Sequence, residues 1–207
     1  MTTAAILDQF ACDVADVIPK LDTTAEHHRW QPGIGAYDEE EQVRRIAERL
    51  GQQSTYYEVT ETEVLYPNSG QRCDILLGSD GSQIPVEAKL LRFYRDNGDI
   101  EPAAYTTVYS PFSNSLVADA KKLAESDFET GGGLLGLYYE PADGPFPLMD
   151  ATKLAEKVTR DVEYWYNLPL KTRTIAEFTG LRHPVSPPAG CSHHLGAYRM
   201  MPVQSRF

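Results

Sequence analysis

Cysteine is scarce in this chain: three residues in 207, at Cys12, Cys73 and Cys191. The number is odd, the spacing wide, and no CxxC pair occurs, which argues against a disulfide framework. Long apolar runs are also missing. The longest, Leu134 to Tyr139, has the length of a strand and not of a membrane span. Basic charge is in short supply, with 19 Lys and Arg against 30 Asp and Glu and a net charge of −11. Tight, indiscriminate binding to nucleic acid is disfavoured, because phosphate contacts call for a basic surface. The start, Met1-Thr2-Thr3-Ala4-Ala5-Ile6, lacks the basic opening and apolar stretch of a signal peptide. A cytoplasmic protein with no membrane partner is expected. No internal repeat and no low-complexity tract interrupts the chain. What is present, 42% hydrophobic and 24% charged residues, suits one soluble globular domain with extensions.

The hydrophobic pattern orders the chain. Residues 4–20 predict a helix with Ile6, Phe10, Val14 and Val17 or Ile18 on one stripe. A second helix starts at Asp38, an N-cap with Glu41 three residues later, carries Val43, Ile46, Ala47 and Leu50, and ends at Gly51. Strands are predicted at 55–66, 71–77 and 83–91, followed by a long irregular segment over 93–112. A helix at 113–126, a strand at 134–139 and a helix at 150–167, with Leu154, Val158, Val162 and Trp165 in register, complete the core. The last forty residues read as Pro- and His-containing loop with a final strand near 196–203. This order predicts a mixed sheet covered by helices on both faces.

Two charged strands stand out. Arg72-Cys73-Asp74-Ile75-Leu76-Leu77 and Ile84-Pro85-Val86-Glu87-Ala88-Lys89-Leu90 flank the turn formers Gly78-Ser79-Asp80-Gly81-Ser82. Glu87 and Lys89 leave the same face of their strand, and Asp74 on the neighbouring strand reaches the same point. Such a trio can bind a divalent metal through hard oxygen ligands and activate a water. Lys89 can then orient the water or stabilise a pentavalent phosphate. The plainer alternative is a surface hairpin whose charges face water on the wet side of the sheet.

Asp74, twelve intervening residues and Glu87-Ala88-Lys89, preceded by a helix bearing glutamates, resemble the PD-(D/E)xK nuclease superfamily. The element order from about 37 to 140 is similar to that superfamily's core. Cys73 departs from it by standing where the motif has proline. The resemblance implies an α/β fold: a three-layer α/β/α restriction-endonuclease-like core over 37–167 with a mixed central sheet. Residues 1–36 would add an N-terminal helix and loop, and 168–207 an extension packed on the same domain. It implies a nuclease cleaving phosphodiester bonds, DNA being the expected substrate. Mg²⁺ would be the cofactor, with Mn²⁺ able to substitute. Asp74 and Glu87 would be metal ligands and Lys89 catalytic. The superfamily often adds a carboxylate from the first helix. Glu41 and Glu48 point away from the apolar stripe, and Glu39 and Glu40 flank it. Glu40, one turn before Val43, is expected in that catalytic and metal-binding place, with Glu39 as its substitute.

Other signals are weaker. Asp119 and Lys122 read as an i,i+3 surface pair, although the following helix often lends polar groups to the cleft in that superfamily. Basic groups gather at Lys89, Arg92 and Arg95, at Lys121 and Lys122, and at Arg44, Arg45 and Arg49. Cys191, His193 and His194, like His27 and His28, lack zinc-site spacing. Gly131 to Gly133 precede a strand and lack the GK[ST] of a phosphate loop. Tyr105, Tyr109 and Phe112 can stack on unpaired bases or anchor a loop. The strong acidity motivates a competing expectation: a non-catalytic subunit of the same fold whose surface faces a protein partner or a second copy.

Overall fold

The computed structural model describes residues 2–27, 32–53, 55–67, 69–92, 101–141, 151–172, 176–181 and 196–205. Among the residues singled out from the sequence, His28, Arg95, Cys191, His193 and His194 lie outside this set.

The fold is mixed α/β. Helices α1 (Thr3–Thr24) and α2 (Glu39–Leu50) precede strands β1 (Glu58–Leu65), β2 (Arg72–Ser79) and β3 (Ser82–Arg92). Then come α3 (Ala104–Tyr109), α4 (Leu116–Ala124), β4 (Gly133–Pro141), α5 (Ala151–Tyr166), β5 (Leu170–Thr172), β6 (Ala176–Leu181) and β7 (Gly196–Ser205). The sheet runs β1-β2-β3-β4-β7-β5, with β6 also paired to β7. Among the described residues only β3 and β4 pair in parallel; the remaining pairs are antiparallel. A parallel pair needs a crossover, and here α3 and α4 lie in it.

Helices pack on both faces. The stripe Ile6, Phe10, Val14, Val17 and Ile18 of α1 joins Val43, Ile46 and Leu50 of α2 over Ile75, Leu77, Ile84, Val86 and Ala88. On the opposite face Leu116, Val117, Ala120 and Leu123 of α4 join Leu154, Val158 and Val162 of α5 over Leu76, Leu91 and Leu134. Trp165 departs from the stripe expected for α5 and lies at the surface.

The tail differs most from expectation. The loop predicted over most of 168–195 contains β5 and β6, and both pair with β7. Leu170–Thr172 and Ala176–Leu181 are too short to show a convincing alternation in sequence, and their pairing is made by distant chain. The irregular segment predicted at 93–112 holds the short helix α3.

Candidate active site

The hairpin of β2 and β3 turns at Asp80-Gly81, both with positive φ (50° and 80°). That is the primed turn favoured between two twisted strands. From Ser79↔Ser82 the ladder runs to Ile75↔Val86 and stops. Continuing the register by one step sets Asp74 opposite Glu87. β3 itself continues to Arg92 against β4, so its edge toward β2 loses its backbone partners beyond Val86. Two side-chain carboxylates take their place. Asp74 Oδ2 accepts from Ala88 N at 2.5 Å, and Glu39 Oε2 accepts from Leu90 N at 2.6 Å. Buried strand N–H groups require such partners.

Glu87 and Lys89 do share one face, but it is not wet. Glu87 is 3% exposed and Lys89 6%, because α4 lies over them. Ser115 caps α4 by accepting from Ala118 N at 3.1 Å. One turn on, Asp119 sits buried with Oδ2 3.6 Å from Lys89 Nζ. Lys122 Nζ reaches Glu87 Oε1 at 2.7 Å. The Asp119–Lys122 surface pair is therefore corrected: each side chain turns to a different partner inside the cluster. Asp119 lies at the edge of the α4 apolar stripe, and the long Lys122 stem carries its charge past that edge.

Lys89 is held from three sides. Its ammonium donates to Glu39 Oε1 at 2.9 Å and Asn114 Oδ1 at 3.1 Å, and faces Asp119. Burial alone would lower its pKa, but Asp119 and Glu39 outweigh that and hold it above the ordinary lysine value. The carboxyls move up. Burial, with Asp74 and Asp119 close by, pushes Glu87 to about 8 despite Lys122. Burial pushes Asp119 to about 6, against the pull of Lys89 and Lys122. Burial also raises Asp74, and the hydrogen bond from Ala88 offsets this only in part. Tyr66, just beyond β1, donates its hydroxyl to Glu87 Oε1 and lies under Lys122, whose Nζ is 5.2 Å from the ring centroid. Cys73, next to Asp74, is fully buried, and burial beside Glu87 and Asp74 raises its thiol to about 12.

The helix carboxylate needs correcting. Glu39 enters the cluster, and Glu40 is exposed. At ~100° per residue, Val43, Ile46, Ala47 and Leu50 span an arc that includes Glu39 and ends short of Glu40. Gln42 is also fully buried, donating to Tyr37 O at 2.7 Å. Including it moves the centre of the buried face toward Glu39, at ~100° per residue. Glu41 stays outside as expected: its N–H donates to the Asp38 cap, and its carboxylate binds Arg44 and Arg45. Tyr66 and Asn114 enter the cluster unanticipated, and Asp119 and Lys122 take the cleft position that stood as the alternative to a surface pair. Proximity to the α4 stripe marked Asp119 faintly; nothing local marks Tyr66 or Asn114.

Several features suit a divalent cation. Four carboxylates (Glu39, Asp74, Glu87, Asp119) face two ammonium groups (Lys89, Lys122), leaving negative charge in excess. Asp119 Oδ2 is buried without a hydrogen-bond donor. Carboxylate oxygens are the hard donors Mg²⁺ prefers, and Mg²⁺ keeps several waters and needs few protein ligands. No group of three metal-binding side chains is preassembled among the described residues, so any cation held by Asp74 and Glu87 depends on water for the rest of its shell. The basic groups expected on the surface are largely engaged: Arg44 with Glu41 and Glu48, Arg45 with Glu41, and Lys121 with Glu125. Searches against protein-family models, curated proteins and solved structures return no match for this chain.

Proposed function

We propose that the chain is a Mg²⁺-dependent nuclease with a restriction-endonuclease-like core, hydrolysing phosphodiester bonds of DNA. The observation that carries this reading is the convergence of Asp74, Glu87, Lys89 and Glu39 where the β2–β3 ladder ends. Asp74 and Glu87 would hold the cation, with Asp119 adding negative charge behind them. Bound Mg²⁺ would lower the pKa of a coordinated water and offset charge on the phosphate. Lys89, fixed by Glu39 and Asn114, keeps its proton and presents a positive charge to the phosphate as charge develops on it. Glu39 is a positioning residue acting through Lys89. Substrate would approach on the side of Asp74 and Glu39, which are only half-buried.

The test is cleavage of single- and double-stranded DNA and RNA with Mg²⁺ or Mn²⁺, comparing the wild type with Asp74→Ala and Lys89→Ala. Cleavage lost by 10²-fold or more in both variants supports the reading, a range typical of removing a transition-state charge partner. Equal traces of cleavage in all three proteins would refute it.

One observation favours a second reading. Lys122 already sits 2.7 Å from Glu87, so the cluster carries internal cations of its own. A non-catalytic subunit of this fold, its acidic surface facing a protein partner, would retain such a cluster for structure alone. It would show no Mg²⁺ binding.

A further inference from the structure

The segment that delivers Asn114 to Lys89 also carries Phe112, whose ring is 87% exposed. It does not stand alone. Phe112 lies edge-to-face on Trp165 with centroids 5.7 Å apart, and Trp165 meets Tyr164 likewise at 5.2 Å. Tyr164 is 80% exposed and Trp165 47%. The supporting backbone is fixed. Tyr166 donates to Pro111 O at 2.7 Å, and Ser115 Oγ donates to Ser110 O at 2.5 Å. Exposed large rings cost solubility and mark contact surfaces when they cluster.

Ring chemistry and position identify the occupant. Along α5, Lys153, Lys157, Arg160 and Tyr164 follow i, i+4, i+7, i+11 spacing and so share one face, and Glu156, Asp161 and Glu163 of the same helix offset its charge. Lys157 pairs with Asp161 at 2.5 Å and also covers the Tyr109 ring, while Arg160 is exposed. Flat exposed rings suit the faces of unpaired bases, and Arg160, one helical turn before Tyr164, places a cation beside them for the phosphates. Asn114 follows Phe112 by two residues, so their Cα atoms are at most about 7 Å apart. A base on Phe112 would therefore set its phosphate near the Lys89 cluster. The expected roles of the tyrosines differ: Tyr109 lies under Lys157, and the Tyr105 side chain lies outside the described residues.

We infer that Phe112, Tyr164 and Trp165 form a stacking platform for unpaired bases, making single-stranded nucleic acid the polymer this surface takes. The inference rests on the proposed phosphodiester site for its orientation, yet its test needs no cleavage. A labelled 20-mer is titrated with the wild-type protein in Ca²⁺ or in chelator and followed by anisotropy, as single-stranded DNA, single-stranded RNA and DNA duplex. Single strands should bind at least ~10-fold tighter than duplex and quench tryptophan fluorescence, with the quenching lost in Trp165→Phe. Phe112→Ala and Phe112→Leu should each weaken single-strand binding by roughly 5- to 100-fold, and Phe112→Tyr should restore it, as base–ring stacking predicts. Duplex bound as tightly as single strand, or Phe112→Ala and Phe112→Leu binding like the wild type, overturns the platform. Binding without cleavage would keep the platform and remove the nuclease; cleavage of duplex with no effect of the ring variants would do the reverse.

Discussion

One Glu39 oxygen holds the Lys89 ammonium at 2.9 Å while the other accepts from the Leu90 backbone at 2.6 Å. A single carboxylate thus ties the start of α2 to the unpaired edge of β3 and fixes the charge of the site. Glu39→Gln keeps the shape but weakens both bonds, and should reduce cleavage by about 10-fold or more while Glu40→Gln stays near wild type. Glu39→Ala should also cost about 1–2 kcal/mol in urea unfolding, the value of a charge-assisted hydrogen bond discounted for a carboxylate one-third exposed. Equal behaviour of the Glu39 and Glu40 variants would remove Glu39 from the site.

The buried carboxyls make a pH prediction for the metal-free protein. Glu87 is raised to about 8 and Asp119 to about 6. A carboxyl raised on folding favours the native state while protonated. Its contribution is complete below the unfolded pKa and is lost as pH climbs through the folded one. Stability in chelator should therefore fall between about pH 5 and 8, with a limiting slope near ~1.4 kcal/mol per pH unit per proton. Glu87→Gln should flatten that slope. Urea midpoints at half-unit pH steps give the comparison, and parallel curves for the two proteins would contradict the assignment.

Cation binding should reverse the trend. A ligand taken only by the folded state at 100 times its Kd adds about 2.7 kcal/mol. For a chain of this size that corresponds to roughly 5–10 °C in Tm. Mg²⁺ should raise the wild-type Tm most at pH 8, where the cluster repulsion is greatest. Asp74→Asn and Glu87→Gln should lose the shift. An unmoved wild-type Tm would favour the non-catalytic subunit.

Elements with a long local signature were legible: α1, α2, the β2–β3 hairpin and the Glu87/Lys89 face all follow from periodicity and turn chemistry. What the sequence hid was long-range. β5 and β6 are brief strands that exist through pairing with β7, fifteen or more residues on. The burial of the charged face was hidden too, because only the placement of α4 makes it dry. Asp119 and Lys122 lie one helical turn apart and looked paired. Their true partners, Lys89 and Glu87, lie thirty or more residues away and two apart on one strand. The choice between Glu39 and Glu40 was local: at ~100° per residue Glu39 lies nearer the centre of the Val43–Leu50 stripe, and the buried amide of Gln42 brings that centre closer still.

The Gly131–Gly133 run, which does not bind phosphate by any sequence criterion, has a packing reason instead, and each glycine has its own. Gly131 has φ of 69°, a conformation side chains disfavour. A Cβ at Gly132 would meet the Pro85 carbonyl oxygen at 2.8 Å and Leu123 Cδ2 at 2.6 Å. Backbone cannot swing aside as a side chain can, and Pro85 lies two residues before Glu87 on β3. At Gly133 the neighbour is Leu7 Cδ2 at 2.6 Å, the end of a flexible side chain. Gly132→Ala should therefore cost about 1–3 kcal/mol as overpacking against a fixed strand, and lower cleavage by displacing Glu87. Gly133→Ala should cost less and leave cleavage closer to wild type. Urea unfolding ranks the two, and a Gly133 variant less stable than the Gly132 variant would show that β3 yields more readily than α1.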